Sequence, residues 1–150
     1  MGVRREGREA AIQFLYQRDL GGGAGVGDLQ EFYAFRGLSP SARRFCEGLV
    51  SGLLEKTESI DARIRECTQN YELERLSAVD RNILRLAVHE MLNCDDIPPV
   101  VSINEAIDIA KKYGTEESGR FVNGVLDRIK ASLARPERTP AAGSAGAEND

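Results

Sequence analysis

The stretch Val79-Asp80-Arg81-Asn82-Ile83-Leu84-Arg85-Leu86-Ala87-Val88-His89-Glu90-Met91-Leu92 is apolar around almost its whole circumference when wound as a helix. A helix of that kind is buried on all sides, so the segment predicts a central helix with others packed around it. Ser77, three residues before Asp80, predicts its start in a capping box, with aspartate as a shorter substitute for the usual glutamate.

Downstream, Pro98-Pro99 breaks the pattern, and Ser102 with Glu105 predicts a second capping box. It opens a helix with Ile103, Ala106, Ile107 and Ala110 on one face, stopped after Tyr113 by Gly114. A last helix begins near 115–118 and carries Phe121, Val122, Val125, Leu126, Ile129 and Leu133. Asn123-Gly124 between apolar pairs also suits a hairpin turn. The recurrence of Phe121, Val125 and Ile129 every fourth residue selects helix, and Gly124 in mid-helix then predicts a close backbone approach.

Upstream, a first helix runs from about Arg4 to Leu20, with Ile12, Leu15, Tyr16 and Leu20 on one face and Arg4, Arg5 and Arg8 near its start. The glycine-rich run 21–25 ends it; without a following Lys-Ser/Thr it reads as a linker, not a phosphate loop. A short helix follows Asp28 with Leu29, Phe32, Tyr33 and Phe35. Ser39-Pro40 starts the next, where Phe45, Leu49, Val50, Leu53 and Leu54 form a stripe. The segment 59–71, with Ile60 and Ile64, fits a separate helix or a bend. Strand-period alternation persists nowhere, so the fold class is all-α.

Composition agrees with a soluble globular chain. Its 150 residues suffice for one core, with 41% hydrophobic and 29% charged residues. No apolar run approaches the roughly 20 residues of a membrane helix, and the start Met-Gly-Val-Arg-Arg lacks the apolar stretch of a secretory signal. Glu6 stands where a myristoylation motif wants Ser or Thr. A cytoplasmic location is expected. Cys46, Cys67 and Cys94 show no paired spacing and His89 is the sole histidine, so buried free thiols are expected and no metal or other cofactor. With one histidine on an apolar helix, no catalytic triad forms, and no enzyme is expected. The formal net charge of −4 argues against binding nucleic acid by bulk charge; such a role needs a local basic patch, stacking or a partner. From Arg135 onward Pro, Ala, Gly and Ser dominate, so residues 1–134 are expected to form one domain and 135–150 a disordered tail.

Three stretches resemble the NusB family of transcription antitermination factors. They are Arg4-Arg5-x-x-Arg8-x-x-Ala11-Ile12-Gln13-x-Leu15-Tyr16; Val79-Asp80-Arg81-x-Ile83-Leu84-Arg85-Leu86-Ala87-x-x-Glu90; and Asp96-Ile97-Pro98 through Ile103-Asn104-Glu105-Ala106 to Phe121-Val122-Asn123-Gly124-Val125-Leu126-Asp127. The resemblance implies about seven helices in two small subdomains. It also implies binding of the single-stranded boxA element of nascent ribosomal RNA with the ribosomal protein NusE. That assembly joins other Nus factors on RNA polymerase and suppresses Rho-dependent termination; neither DNA nor membrane contact is implied. Gly7 stands where the family often has alanine, which weakens the start of the arginine helix. His89 stands where a tyrosine is common, and the tail is longer than usual.

Site residues follow from both sources. Three arginines near a helix start are ordinarily a solvated face, although the helix dipole disfavours cations there; the resemblance implies RNA contact by Arg4, Arg5 and Arg8. Tyr16, on the same helix, can offer its ring to an unstacked base. Phe121 belongs to an apolar stripe and reads as core, whereas the resemblance implies a ring beside RNA; both hold at the stripe's edge. Asp80 and Glu117 are a cap and a first-turn acid by position, and lie near RNA or partner by resemblance. Arg81 and Arg120 are candidates for compensating charge. Two other function classes fit less of the sequence. One is a protein-interaction module with incidental RNA contact. The other is the helical portion of an RNA cytosine methyltransferase, which would need a catalytic domain beyond these motifs.

Overall fold

The computed structural model of the chain describes residues 2–21, 29–68 and 73–134. Among them are seven α-helices and no strand: α1 (Val3–Gly21), α2 (Leu29–Arg36), α3 (Pro40–Glu55), α4 (Thr57–Thr68), α5 (Ala78–Asn93), α6 (Pro99–Tyr113) and α7 (Glu116–Ala134), with a short 3-10 turn at Leu73–Arg75. No helix among the described residues is long and apolar enough to cross a membrane. The glycine-rich run beyond Gly21, Tyr71 and the tail after residue 134 lie outside the described residues.

The central helix is where the sequence puts it. Ile83, Leu84 and Val88 on α5 are fully buried, and α5 packs on α1, α3, α4, α6 and α7. All seven helices share one continuous apolar core, with α1 and α3 packed on each other and both on α5, and α6 packed on α7. Of the segment 59–71, residues 59–68 belong to a separate helix, α4, rather than a bend, and 69–71 lie outside the described residues. Phe14 of α1 meets Phe32 of α2 edge-on with centroids 5.6 Å apart, which docks the short second helix.

Helix ends follow the sequence in part. Ser39 caps α3, accepting from Ala42 N–H at 3.3 Å, and Ser77 caps α5, accepting from Asp80 N–H at 3.1 Å. Only that half of the Ser77–Asp80 box forms, since the Asp80 carboxylate accepts instead from Ser118 Oγ at 3.4 Å. The Ser102–Glu105 box does not exist. Helix α6 starts earlier, at Pro99, and Ser102 is buried inside it, donating to Glu90 Oε1 at 2.7 Å. Proline at the first helical position suffices there, because its missing N–H would have been unsatisfied in any case.

One glycine departs from expectation. A Cβ on Gly124 would meet nothing within 4 Å, so no neighbouring backbone comes close there. Tight approaches between helices include Gly7, 2.9 Å from Phe45 Cδ2 and 3.1 Å from the Ala42 carbonyl, and Gly52, 2.8 Å from the His89 ring. Gly7 is therefore a contact residue between α1 and α3, and Gly52 makes room for His89. Among the cysteines, Cys46 is buried and its thiol pKa is pushed up to about 11 by burial, while Cys67 and Cys94 are half-buried.

A polar network closes the bottom of the bundle. Asp19, near the end of α1, accepts from Arg81 Nε and Asn82 Nδ2 at 3.0 Å each and from Arg85 Nη1 at 3.1 Å. Arg85 reaches on to Asp61 of α4 through Nε at 2.8 Å and Nη2 at 3.0 Å. These groups are mostly buried, and each charge is answered by an opposite one.

Candidate nucleic-acid interface

Long side chains bridge α1 and α6, which run the same way. Arg5 meets Glu105 and Asp108 around the middle of α6, Glu9 meets Lys112 and Tyr113 at its end, and Tyr16 lines one depression with Tyr113. Arg5 and Tyr16 are separated by roughly three turns, so they share one face of α1.

At the upper end the three arginines are unlike one another. Arg4 is more than half exposed, 3.4 Å from Asp96, with its guanidinium 4.8 Å from the Phe45 ring centroid. Arg5 is bound through Nε and Nη2 to both oxygens of Glu105 and through Nη2 to Asp108 at 2.9 Å. Those hydrogen bonds, led by the one to Glu105, push the Arg5 guanidinium further up, and the same bond holds the Glu105 carboxyl below the usual range. Arg8 is only 3% exposed. Its Nε and Nη2 each donate to Glu90 at 2.8 Å, and Ser102 supplies a third bond to that carboxylate. Arg8 is thus an interior cation rather than part of a solvated face. A wide opening of about 420 Å³ is lined by Gly2, Arg4, Arg5, Arg8 and Glu105.

At the lower end a smaller, more enclosed depression of about 240 Å³ is lined by Glu9, Ile12, Gln13, Tyr16, Val79 and Tyr113. Its two rings, Tyr16 at 37% and Tyr113 at 51% exposure, are among the most exposed large apolar side chains described. Glu9 is buried beneath them, accepting from Tyr113 Oη at 2.7 Å and from Lys112 Nζ at 3.0 Å and 3.1 Å. Burial, and then the bond to Glu9, pushes the Tyr113 phenol up, so it stays a donor. Asp80, next to Val79, reaches the start of α7 through Ser118 and so joins this end; its Oδ1 is buried without a hydrogen-bond partner. Glu117 and Arg120, also at the start of α7, are exposed and paired with each other at 2.9 Å. Phe121 is partly buried against the core at the edge of its stripe. Arg81 does not serve this surface, being committed to Asp19 and the Leu76 carbonyl.

The structure therefore brings Tyr16, Asp80, Glu117, Arg120 and Phe121 toward one end of the bundle, with Arg4 and Arg5 further along the same edge. Sequence reasoning missed Tyr113, Glu9 and the α6 carboxylates. Only the spacing of Arg5 and Glu9, one turn apart on the Tyr16 face, hinted that another helix runs beside them.

A family model described as the NusB family matches residues 5–131. The chain belongs to the NusB family. Its relatives include a transcription antitermination protein NusB from Desulfosudis oleivorans, 46% identical over 141 residues and covering 91% of each chain. A solved NusB of T. maritima superimposes with a TM-score of 0.79 at 41% identity, covering 85% of this chain and 90% of that one. A crystal structure of NusB and NusE in complex with dsRNA contains a chain with a TM-score of 0.80 at 30% identity, with coverage of 87% and 97%. NusB membership places the chain among transcription antitermination proteins rather than enzymes.

Proposed function

We propose that this chain is an RNA-binding antitermination adaptor: in the cytoplasm it binds the single-stranded boxA element of nascent ribosomal RNA together with NusE. With other Nus factors on RNA polymerase, that complex suppresses Rho-dependent termination. The observation that carries the placement of the site is the shared α1 edge, with arginines at one end and the Tyr16–Tyr113 depression at the other. The relative crystallised with NusE and dsRNA supports RNA as the class of ligand and NusE as the partner, while the single-stranded boxA element is what the family resemblance implies.

Each side chain has a part that suits its surroundings. Arg4 and Arg5 each keep an Nη1 outside their ion pairs and can donate to phosphate, which supplies affinity without sequence information. Tyr16, with Phe121 at the stripe's edge, offers ring faces to unstacked bases. Asp80 and Glu117 repel phosphate, so their part is to accept from base or partner donors. For Asp80 this requires its Oδ1, which is buried without a hydrogen-bond partner, to be uncovered first. Arg8 serves by fixing α1 against α5 rather than by touching RNA.

The test compares boxA RNA with a scrambled strand, with and without NusE. The double variant Arg4→Ala/Arg5→Ala is expected to fold as the parent, bind boxA more weakly and flatten the salt dependence by about 0.7 for each phosphate it no longer neutralises. Tyr16→Ala is expected to cost about 1–3 kcal/mol of RNA affinity. Affinity and salt slope unchanged in the arginine variant would remove the RNA assignment. No preference for boxA over the scrambled strand and no tightening by NusE would favour a protein-interaction module whose RNA contact is incidental.

A further inference from the structure

The arginine end of the edge is not cationic. Arg4, Arg5 and Arg8 face four carboxylates: Asp96 at 3.4 Å from Arg4, Glu105 and Asp108 on Arg5, and Glu90 on Arg8. Glu105 also lies 3.6 Å from Arg8, so it is shared. The Arg8–Glu90 pair is interior and fixed. Arg4, Asp96 and Asp108 are more than half exposed, and Arg5 about a quarter, so exchange of partners is open to them. A phosphate arriving at Arg4 or Arg5 meets a guanidinium whose charge is already answered.

Resting on the RNA-binding reading above, we propose that Asp96 and Asp108 are internal competitors for RNA phosphate: they mask Arg4 and Arg5 and hold charge-driven RNA binding down. Glu105 differs in kind. Its two-oxygen grip on Nε and Nη2 sets the direction of the Arg5 guanidinium, and it stays in place when Asp108 lets go. The unoccupied Nη1 is the first to meet phosphate, and the Asp108 bond is the one given up. The mask makes base contacts and a protein partner necessary, because charge-driven affinity is the sequence-independent part of RNA binding.

The variant Asp96→Asn/Asp108→Asn tests this without touching the arginines or the interior pair. Its control, Glu58→Gln/Glu66→Gln, makes the same charge change on α4, where both side chains are exposed and Glu66 pairs with Arg63 at 3.8 Å. Titrated with short single-stranded boxA and scrambled RNAs over a salt series, the masked-edge variant is expected to bind both strands several-fold tighter at low salt. Its salt slope is expected to steepen by about 0.7 per arginine released. The control is expected to change affinity less than twofold.

In an Arg4→Ala/Arg5→Ala background the gain is expected to vanish. A gain that persists there would mean general repulsion of RNA and would overturn the exchange, as would a variant that binds no tighter than the α4 control. Should the arginine background itself leave boxA binding untouched, the RNA-binding reading falls first; weakened binding there with no gain from the aspartate variant removes the mask alone.

Discussion

Arg8 and Glu90 look alike in the sequence to dozens of surface charges, yet they form the most deeply buried ion pair described for the chain. Removing one member leaves the other charged and unpaired in the interior, which costs about 3–5 kcal/mol. Arg8→Ala is accordingly expected to lower stability by that amount in urea unfolding, while Arg4→Ala stays within about 0.5 kcal/mol of the parent. A loss under 1 kcal/mol for Arg8→Ala would mean that the pair is not buried as described. His89 gives a pH test. Burial lowers its pKa in the folded chain, so the unfolded chain takes up the proton first. The histidine contribution is therefore fully present above about pH 6.5, the unfolded value, and shrinks as pH falls through that value toward the folded one. Urea midpoints measured between pH 7.5 and 5.5 are expected to fall more for the parent than for His89→Gln.

At the scale of elements, packing made the helices readable and polar chemistry made their ends hard to read. Periodicity suffices for α5 because a helix apolar all round has only one place to go. The Ser102–Glu105 motif misled because a capping box and two polar residues engaged in tertiary contacts share the same letters. Only tertiary contact, Ser102 on Glu90 and Glu105 on Arg5, separates them. Glu90 is itself a usable signal: a carboxylate on a helix that is buried nearly all round demands a buried cation, and Arg8 is the one that answers. Gly124 is a second lesson of the same kind. A glycine in mid-helix suggests a close approach, but the space beside this one is open. Gly124→Ala is thus expected to stabilise α7 by about 0.5–1 kcal/mol, through backbone entropy alone. Thermal unfolding that shows a decrease instead would reveal a neighbour at that position.

Across the whole molecule, the fold was more legible than the site. Apolar spacing is written along one chain, whereas the site is a relation between α1, α6 and the start of α7. Tyr16 was readable as an exposed ring on the arginine helix; its companion Tyr113 was not, since it reads only as the last residue before a helix-ending glycine. The arginines were readable as a group, but which is interior and which is masked depends on carboxylates roughly 80 to 100 residues away in sequence. Net charge carried that message dimly: at −4 the chain has enough acid to answer every arginine at this edge.

The Asp19 network has a bearing on how the molecule opens. One carboxylate on α1 holds three α5 side chains, and Arg85 passes the tie to α4. Amide protons of α1, α4 and α5 should therefore exchange with deuterium through one shared opening event, at the rate set by global unfolding. Those of α2, fastened chiefly by a few rings, should exchange sooner. Replacing Asp19 with alanine would split the slow class, and α1 would be the first to gain mass.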